Sequence, residues 1–303
     1  MATEVSLLAL AEMFPDEQSA RRWFEGQVWP KERCCGHCGG TRTKVVPNEK
    51  PMPYWCPDCR KYFSVRTGTA LERSKVPLRK WAYAVYILAT SVKSVPSTRL
   101  AGRIGVTQTT AWFMLHRLRQ AWKPGQPMMR GTVEVDETYF GGKERNKRVK
   151  SKLGRGPVGK TAVVGAKNRH TKRVSARVVG TGTPPAPVLR EFVESTAEPG
   201  STVYSDGAWA YRTMTGYTHA SVAHSRGEYV RGDVHTNGIE GFWSILKRAY
   251  MGTFHYLSPK HLQRYIDEFC GRQNMRELGT LDRMGAVAAG LVGRRLTYRE
   301  LVA

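Results

Sequence analysis

Thr132-Val-Glu-Val-Asp-Glu-Thr-Tyr-Phe-Gly-Gly142 alternates apolar and polar positions until it meets a glycine pair, and so reads as a β-strand. Val133 and Val135 share one face of it, which leaves Glu134 and Asp136 on the other. Glu137 completes an acidic run of which any member could simply face solvent. Two further acids stand in informative contexts. Asp206 ends a short strand in Ser201-Thr-Val-Tyr-Ser-Asp-Gly207, and Glu240 lies in His235-Thr-Asn-Gly-Ile-Glu-Gly-Phe-Trp-Ser-Ile-Leu-Lys-Arg248, which reads as a helix. Taken singly, an Asp-Gly pair is an ordinary turn former and a first-turn glutamate suits a helix dipole. Taken together, two strand carboxylates and one helix carboxylate can hold a pair of Mg²⁺ ions where a phosphodiester is attacked in line.

Around Asp136 the chain has the alternation of a sheet. Thr161-Ala-Val-Val-Gly165 and Val174-Ser-Ala-Arg-Val-Val179 follow as strands and suggest a meander. A helix is expected at 188–195, then the Asp206 strand, then helices at 237–250 and about 259–273. Between the first two strands, Gly141 to Lys160 carries eight basic residues and one acid with no apolar period, as a mobile loop would.

Upstream the pattern is helical. Pro15 with Asp16 and Glu17 suits the first turn of a helix. Pro77 to Val95 reads as an amphipathic helix burying Leu78, Trp81, Val85 and Leu88, and two more helices are expected as far as Trp122. Pro124-Gly-Gln-Pro127 breaks the composition and marks a boundary.

Five of the six cysteines fall between Cys34 and Cys59. That crowding fits metal binding in a reducing compartment better than a disulfide framework. Cys35-Gly-His-Cys38 and Cys56-Pro-Asp-Cys59 are two C-x₂-C pairs separated by 17 residues, the spacing of a zinc ribbon. All four positions of a tetrahedral Zn²⁺ would be filled, so the site is read as structural. Cys34 or His37 are weaker competitors for ligation, and Cys270 reads as a small core residue.

Ser97 to Arg119 has the anatomy of a helix-turn-helix, although a plain helical hairpin would have the same pattern. Ala101 is small where the helices cross, and Gly105 sits in the turn. Leu100, Ile104, Val106, Ala111 and Met114 form the seam. Thr107 caps the second helix and leaves Gln108, Thr109 and Thr110 at its start, where recognition residues reach base edges. Arg117 and Arg119 are read as phosphate contacts.

The 303 residues are 41% hydrophobic, so there is material for a sizeable core. Lys and Arg number 48 against 25 Asp and Glu, a net charge of +23. An excess this one-sided points to a polyanion, and double-stranded DNA is the expected partner. No apolar run of membrane-spanning length, signal peptide or lipidation motif is seen, so no membrane partner is expected and the location is read as cytoplasmic.

The chain resembles the DDE transposases of bacterial insertion sequences, in the insertion sequence 1595 group, over nearly its whole length. The resemblance runs through Phe14-Pro-Asp16, the cysteine segment and Lys61-Tyr-Phe-Ser-Val-Arg-Thr-Gly-Thr69. It continues in Val135-Asp-Glu-Thr-Tyr-Phe-Gly-Gly142, Ser205-Asp-Gly207 and the Asn237–Lys247 helix, and then in Gly252-Thr-Phe-His255, Ser258-Pro-Lys-His-Leu262 and Tyr265-Ile-Asp-Glu-Phe269. It implies an RNase H-like core whose metal ligands are Asp136, Asp206 and Glu240, with Mg²⁺ (or Mn²⁺) as cofactor. It also implies a nucleoid-associated bacterial enzyme that cuts the element's ends and transfers the 3′-OH to target DNA as at least a dimer. Some members of the group use an asparagine as third residue. Asn237 therefore stands as the alternative to Glu240, although a hard cation prefers the carboxylate. Lys247 lies about 700° of helical rotation beyond Glu240 and shares its face, next to Arg248, where it would grip phosphate. Two rival readings are a DNA-binding regulator with an inactive core and a nuclease that cuts without joining.

The expected architecture is multidomain α+β / α/β. An N-terminal helical segment (1–30) precedes a zinc ribbon (31–70) and a helix-turn-helix region (77–123). An RNase H-like core with a mixed sheet flanked by helices (130–275) and a C-terminal tail (276–303) complete it.

Overall fold

The computed structural model describes residues 4–122, 127–142, 157, 159–206, 209–211, 214–223 and 227–303. Most of the basic 141–160 segment lies outside them. The chain separates into two compact units, residues 1–123 with 277–303, and residues 124–276.

In the first unit, α1 (Leu7–Met13) and α2 (Glu17–Val28) open the chain. Asp16 is the N-cap of α2, accepting the Ser19 N–H at 2.7 Å. Pro15 thus stands before the helix and not in its first turn, because the short Asp16 side chain reaches the free N–H groups that proline cannot. Glu17, next along, accepts the N–H groups of Leu78 and Arg79 at 2.7 and 2.9 Å. It thereby caps α3 (Leu78–Thr90), whose own N-cap, Pro77, has no side-chain acceptor. Trp81, Val85 and Leu88 of α3 are fully buried. α4 (Ser97–Ile104) and α5 (Gln108–Leu118) follow and pack on each other, and a 3₁₀ turn spans Arg119–Trp122. The last residues, read above as a C-terminal tail, form α9 (Thr280–Gly290) and α10 (Tyr298–Val302). α9 packs against α2, α3 and the 119–122 turn.

The cysteine segment of this unit is a three-stranded antiparallel sheet of β1 (Lys44–Val45), β2 (Tyr54–Cys56) and β3 (Lys61–Phe63). Its inner face is small: Cys35, Tyr54, Cys56 and Phe63 are buried, with Trp29 and Cys59 against them.

The second unit is built on β4 (Thr132–Phe140), β5 (Thr161–Asn168), β6 (Val174–Thr181), β7 (Thr202–Ser205) and β8 (Thr218–Ser221). The strands lie in the order β6-β5-β4-β7-β8. The first three form the expected antiparallel meander, while β7 runs parallel to β4 and β8 parallel to β7. α6 (Ala186–Thr196) covers one face, in a core with Val133, Val135, Val164 and Val203. α7 (Asn237–Ala249) and α8 (Pro259–Asn274) contribute to a second core with Phe140, Val163 and Val174. Cys270 lies in that second core, as expected, together with Trp243.

Gly165 explains how closely α7 approaches. It pairs with Asp136 across β4 and β5, and a Cβ there would lie 2.5 Å from the Trp243 ring. Only hydrogen leaves room for that ring over the strand. Gly165→Ala is expected to lower stability by about 1–3 kcal/mol through overpacking, read as a fall in denaturation midpoint.

Candidate functional site

Parallel pairing sets the site. Glu134 pairs with Tyr204 across β4 and β7, so two residues further on Asp136, in the middle of β4, comes level with Asp206, just past the end of β7. Carboxylate oxygens of Asp136, Glu137 and Asp206 all lie within 4.8 Å of one another. Burial, together with the charges of Asp206, Glu137 and Glu240, pushes the Asp136 carboxyl up to about 8. Burial likewise pushes Glu137 up to about 7, against the pull of the hydrogen bond it accepts from the Tyr211 hydroxyl. Asp206 Oδ1 is buried and has no hydrogen-bond partner. Three crowded carboxylates that repel one another, with an unsatisfied oxygen among them, could hold a hard divalent cation such as Mg²⁺.

The sequence pointed to Asp136 and Asp206, and the structure brings them together. Glu240 stands outside the tight group, in the first turn of α7, where its charge still raises Asp136. Asn237 and Lys247 are exposed on the same helix, as is Arg248. Glu137 joins the cluster unforeseen. Its partner Tyr211 is 74 residues away in sequence, so only the fold reveals it. Glu134 is 2% exposed, so it does not face solvent. It accepts from Arg169 Nε at 2.8 Å and from the Ile239 N–H at 2.9 Å.

The four cysteines of the ribbon form a second donor set, their Sγ atoms within 4.8 Å of one another. Cys35 and Cys59 stand 3.6 Å apart, as do Cys38 and Cys56. A tetrahedral Zn²⁺ with bonds of about 2.3 Å separates its sulfurs by about 3.8 Å, so the set fits that ion. N–H groups of Cys59 and Asp58 help hold the Cys56 thiol down to about 7, while burial and the neighbouring thiols push Cys59 up to about 12, so that a bound cation would be needed to hold all four as thiolates. The first knuckle packs backbone to backbone on the Arg66-Thr-Gly-Thr69 turn. A Cβ on Gly36 would strike the Thr67 carbonyl, and one on Gly68 would strike Gly36.

At α4 and α5 the turn is made by Gly105 in the left-handed conformation, φ 61°. Thr107 caps α5, accepting the Thr110 N–H at 3.2 Å. Gln108 and Thr109 are exposed and Thr110 is half-buried, with Gln108 Nε2 donating to Ser97 Oγ at 2.8 Å. Arg117 differs from its reading as a phosphate contact. It is 8% exposed, with its guanidinium 4.3 Å from the Phe113 ring centre, because α5 buries its last turn on every side. Arg119 is buried as well. Among the described residues, no helix is long and apolar enough to cross a membrane.

Residues 128–274 match the family described as the ISXO2-like transposase domain. Over 237 residues the chain is 32% identical to a Halobacterium salinarum protein described as an uncharacterized protein in transposable element ISH50. The match covers 71% of this chain and 76% of the relative.

Proposed function

The chain belongs to the ISXO2-like transposase family, and from that premise we propose that it is a DDE-type enzyme that nicks DNA at the ends of an insertion sequence and joins the freed 3′-OH to target DNA. The observation that carries this reading is the meeting of Asp136 and Glu137, in the middle of β4, with Asp206, just past β7, within reach of the charge of Glu240 on α7. A meander followed by two parallel strands, in the order β6-β5-β4-β7-β8, supports an RNase H-like core.

Asp136, Asp206 and Glu240 would hold Mg²⁺ (or Mn²⁺), with Glu137 as an added carboxylate. When bound, a pair of such ions supplies neutralising charge at the attacked phosphate and at the leaving 3′ oxygen. The carboxylates would hold the ions, so the protein's own part is to position the reacting groups, without a covalent link to DNA. Lys247, exposed seven residues after Glu240 on the same face, is assigned to a phosphate next to the scissile one. Arg248 would extend that basic edge.

Recognition of the ends is assigned to the first unit. Gln108, Thr109 and Thr110 begin the exposed start of α5, with Thr107 fixing its entry. Lys44, Trp55 and Tyr62 make one row across the ribbon sheet, a partly exposed face suited to a nucleic-acid backbone. Bringing two ends together requires at least a dimer. Replacing Gln108 and Thr110 together by Ala should weaken binding to the element's ends by about tenfold or more and leave non-specific binding nearly unchanged. Equal losses on both DNAs would remove α5 as the reader.

Nicking of DNA carrying the element's own ends tests the function. Metal-dependent 3′-OH ends from the wild type, lost in Glu240→Gln, are expected. Nicking that survives in Glu240→Gln and is lost in Asn237→Ala would move the third ligand to Asn237.

A further inference from the structure

α7 begins in an unusual way. Thr236 is its N-cap, and a threonine there ordinarily accepts the N–H of the second or third helical residue. Here its side chain makes no cap bond. Instead the fully buried Thr236 donates its hydroxyl to Glu240 Oε1 at 2.7 Å. The orphan N–H of Ile239 is taken from outside the helix, by Glu134 Oε2 at 2.9 Å.

Glu134 is held for that task. Arg169 Nε donates to its other oxygen at 2.8 Å, and His235 Nδ1 lies 3.6 Å from that same oxygen. Arg169 also donates to the carbonyls of Asp233 and His235, which ties down the segment leading into α7. Its guanidinium lies 4.7 Å from the centre of the Tyr204 ring on β7. Lys167, opposite Glu134 on β5, donates to the Gly238 carbonyl at 2.8 Å. Gly238 itself admits no side chain, since a Cβ would sit 2.6 Å from Glu134 Oε2. The sheet therefore grips the start of the helix through the Glu134–Arg169 ion pair and Lys167, two residues along β4 from Asp136.

We propose that Thr236 is the positioning residue of Glu240, freed from capping because the Glu134–Arg169 pair caps and anchors α7 in its place. This rests on Glu240 being the metal-binding carboxylate of the proposed function. Glu134 fixes where the helix starts, and Thr236 fixes which way the Glu240 carboxylate turns towards Asp136. Neither touches the reacting atoms.

Mn²⁺ binding to the full-length protein, followed by the electron paramagnetic resonance of the free ion, tests this beside the nicking assay. Thr236→Val keeps the shape and removes the donor. It is expected to weaken Mn²⁺ binding by about 10- to 100-fold, the usual effect of removing an outer hydrogen bond to a metal ligand, with its melting temperature close to wild type. Thr236→Ser, which keeps the hydroxyl, should restore the affinity. Arg169→Lys cannot serve Glu134, Asp233 and His235 together and should also weaken binding. Wild-type Mn²⁺ affinity in Thr236→Val, with Glu240→Gln still inactive, would overturn the positioning role and leave the proposed function standing. Wild-type affinity and nicking in Glu240→Gln would instead overturn the reading beneath it.

Discussion

Asp136→Asn is expected to abolish nicking while making the metal-free protein more stable at neutral and alkaline pH. Loss of a charge that holds the catalytic ions costs several kcal/mol of transition-state stabilisation, or about a thousandfold in rate. The gain in stability follows from the raised Asp136 carboxyl, at about 8 in the fold against 3.8 for a free side chain. The folded state holds a proton that the unfolded state releases, so stability is fully present below about pH 4 and is lost as pH rises through about 8. An uncharged amide removes that penalty and the repulsion of Asp206 and Glu137. A gain of about 2 kcal/mol would raise the melting temperature of a unit this size by roughly 4–8 °C. Melting curves in chelator at pH 5 and pH 8 check it. The wild type should melt lower at pH 8, and Asp136→Asn should fall by clearly less, the remainder coming from the raised Glu137 carboxyl. A melting temperature of Asp136→Asn that falls between these pH values by as much as the wild type's would mean that the carboxylate is not strained by its neighbours.

Cys56→Ser is the second large effect. The ribbon's inner face has four buried residues, too few to hold residues 31–70 by apolar burial alone. A structural zinc site supplies about 10–16 kcal/mol of apparent binding free energy, which is folding free energy when the site forms only in the fold. Bound zinc is expected to fall from one ion per chain to none in Cys56→Ser, with rapid proteolytic cutting inside 31–70 and loss of binding to the element's ends. Metal analysis with limited proteolysis measures both. A ribbon that resists protease with no zinc bound would show that packing suffices.

What the sequence revealed and what it hid have separate physical causes. β4, β5, β6, α7 and α8 were legible because their periodicity is set by local burial on one or both faces. β8 was not: Thr218–Ser221 is a short polar edge strand with no buried residue, and only its pairing with β7 defines it. Residues 276–303 read as a tail because helix α9 is rich in Gly and Ala. Those small residues serve close packing, as at Gly290, where a Cβ would meet the Ala121 carbonyl at 2.7 Å. The acids divided in the same way. Asp136 was readable from the alternation of its strand and Asp206 from the end of its own. Glu134 and Glu137 were not, because their roles depend on Arg169, Ile239 and Tyr211, all remote in sequence. Arg117 misled for the opposite reason: a basic residue near a recognition helix suggests phosphate, but the late turns of α5 are enclosed.

On the proposed reading this acidic site both cuts and joins DNA. The most direct measurement follows a labelled 3′ end of the element, incubated with wild-type protein, Mg²⁺ and unlabelled target DNA. The account predicts a joined product in which the label has moved into target, absent in chelator and absent in Glu240→Gln. Nicked ends that are never joined would make the protein a nuclease, and tight binding without nicking in any divalent metal would make it a DNA-binding regulator; either result would contradict the account.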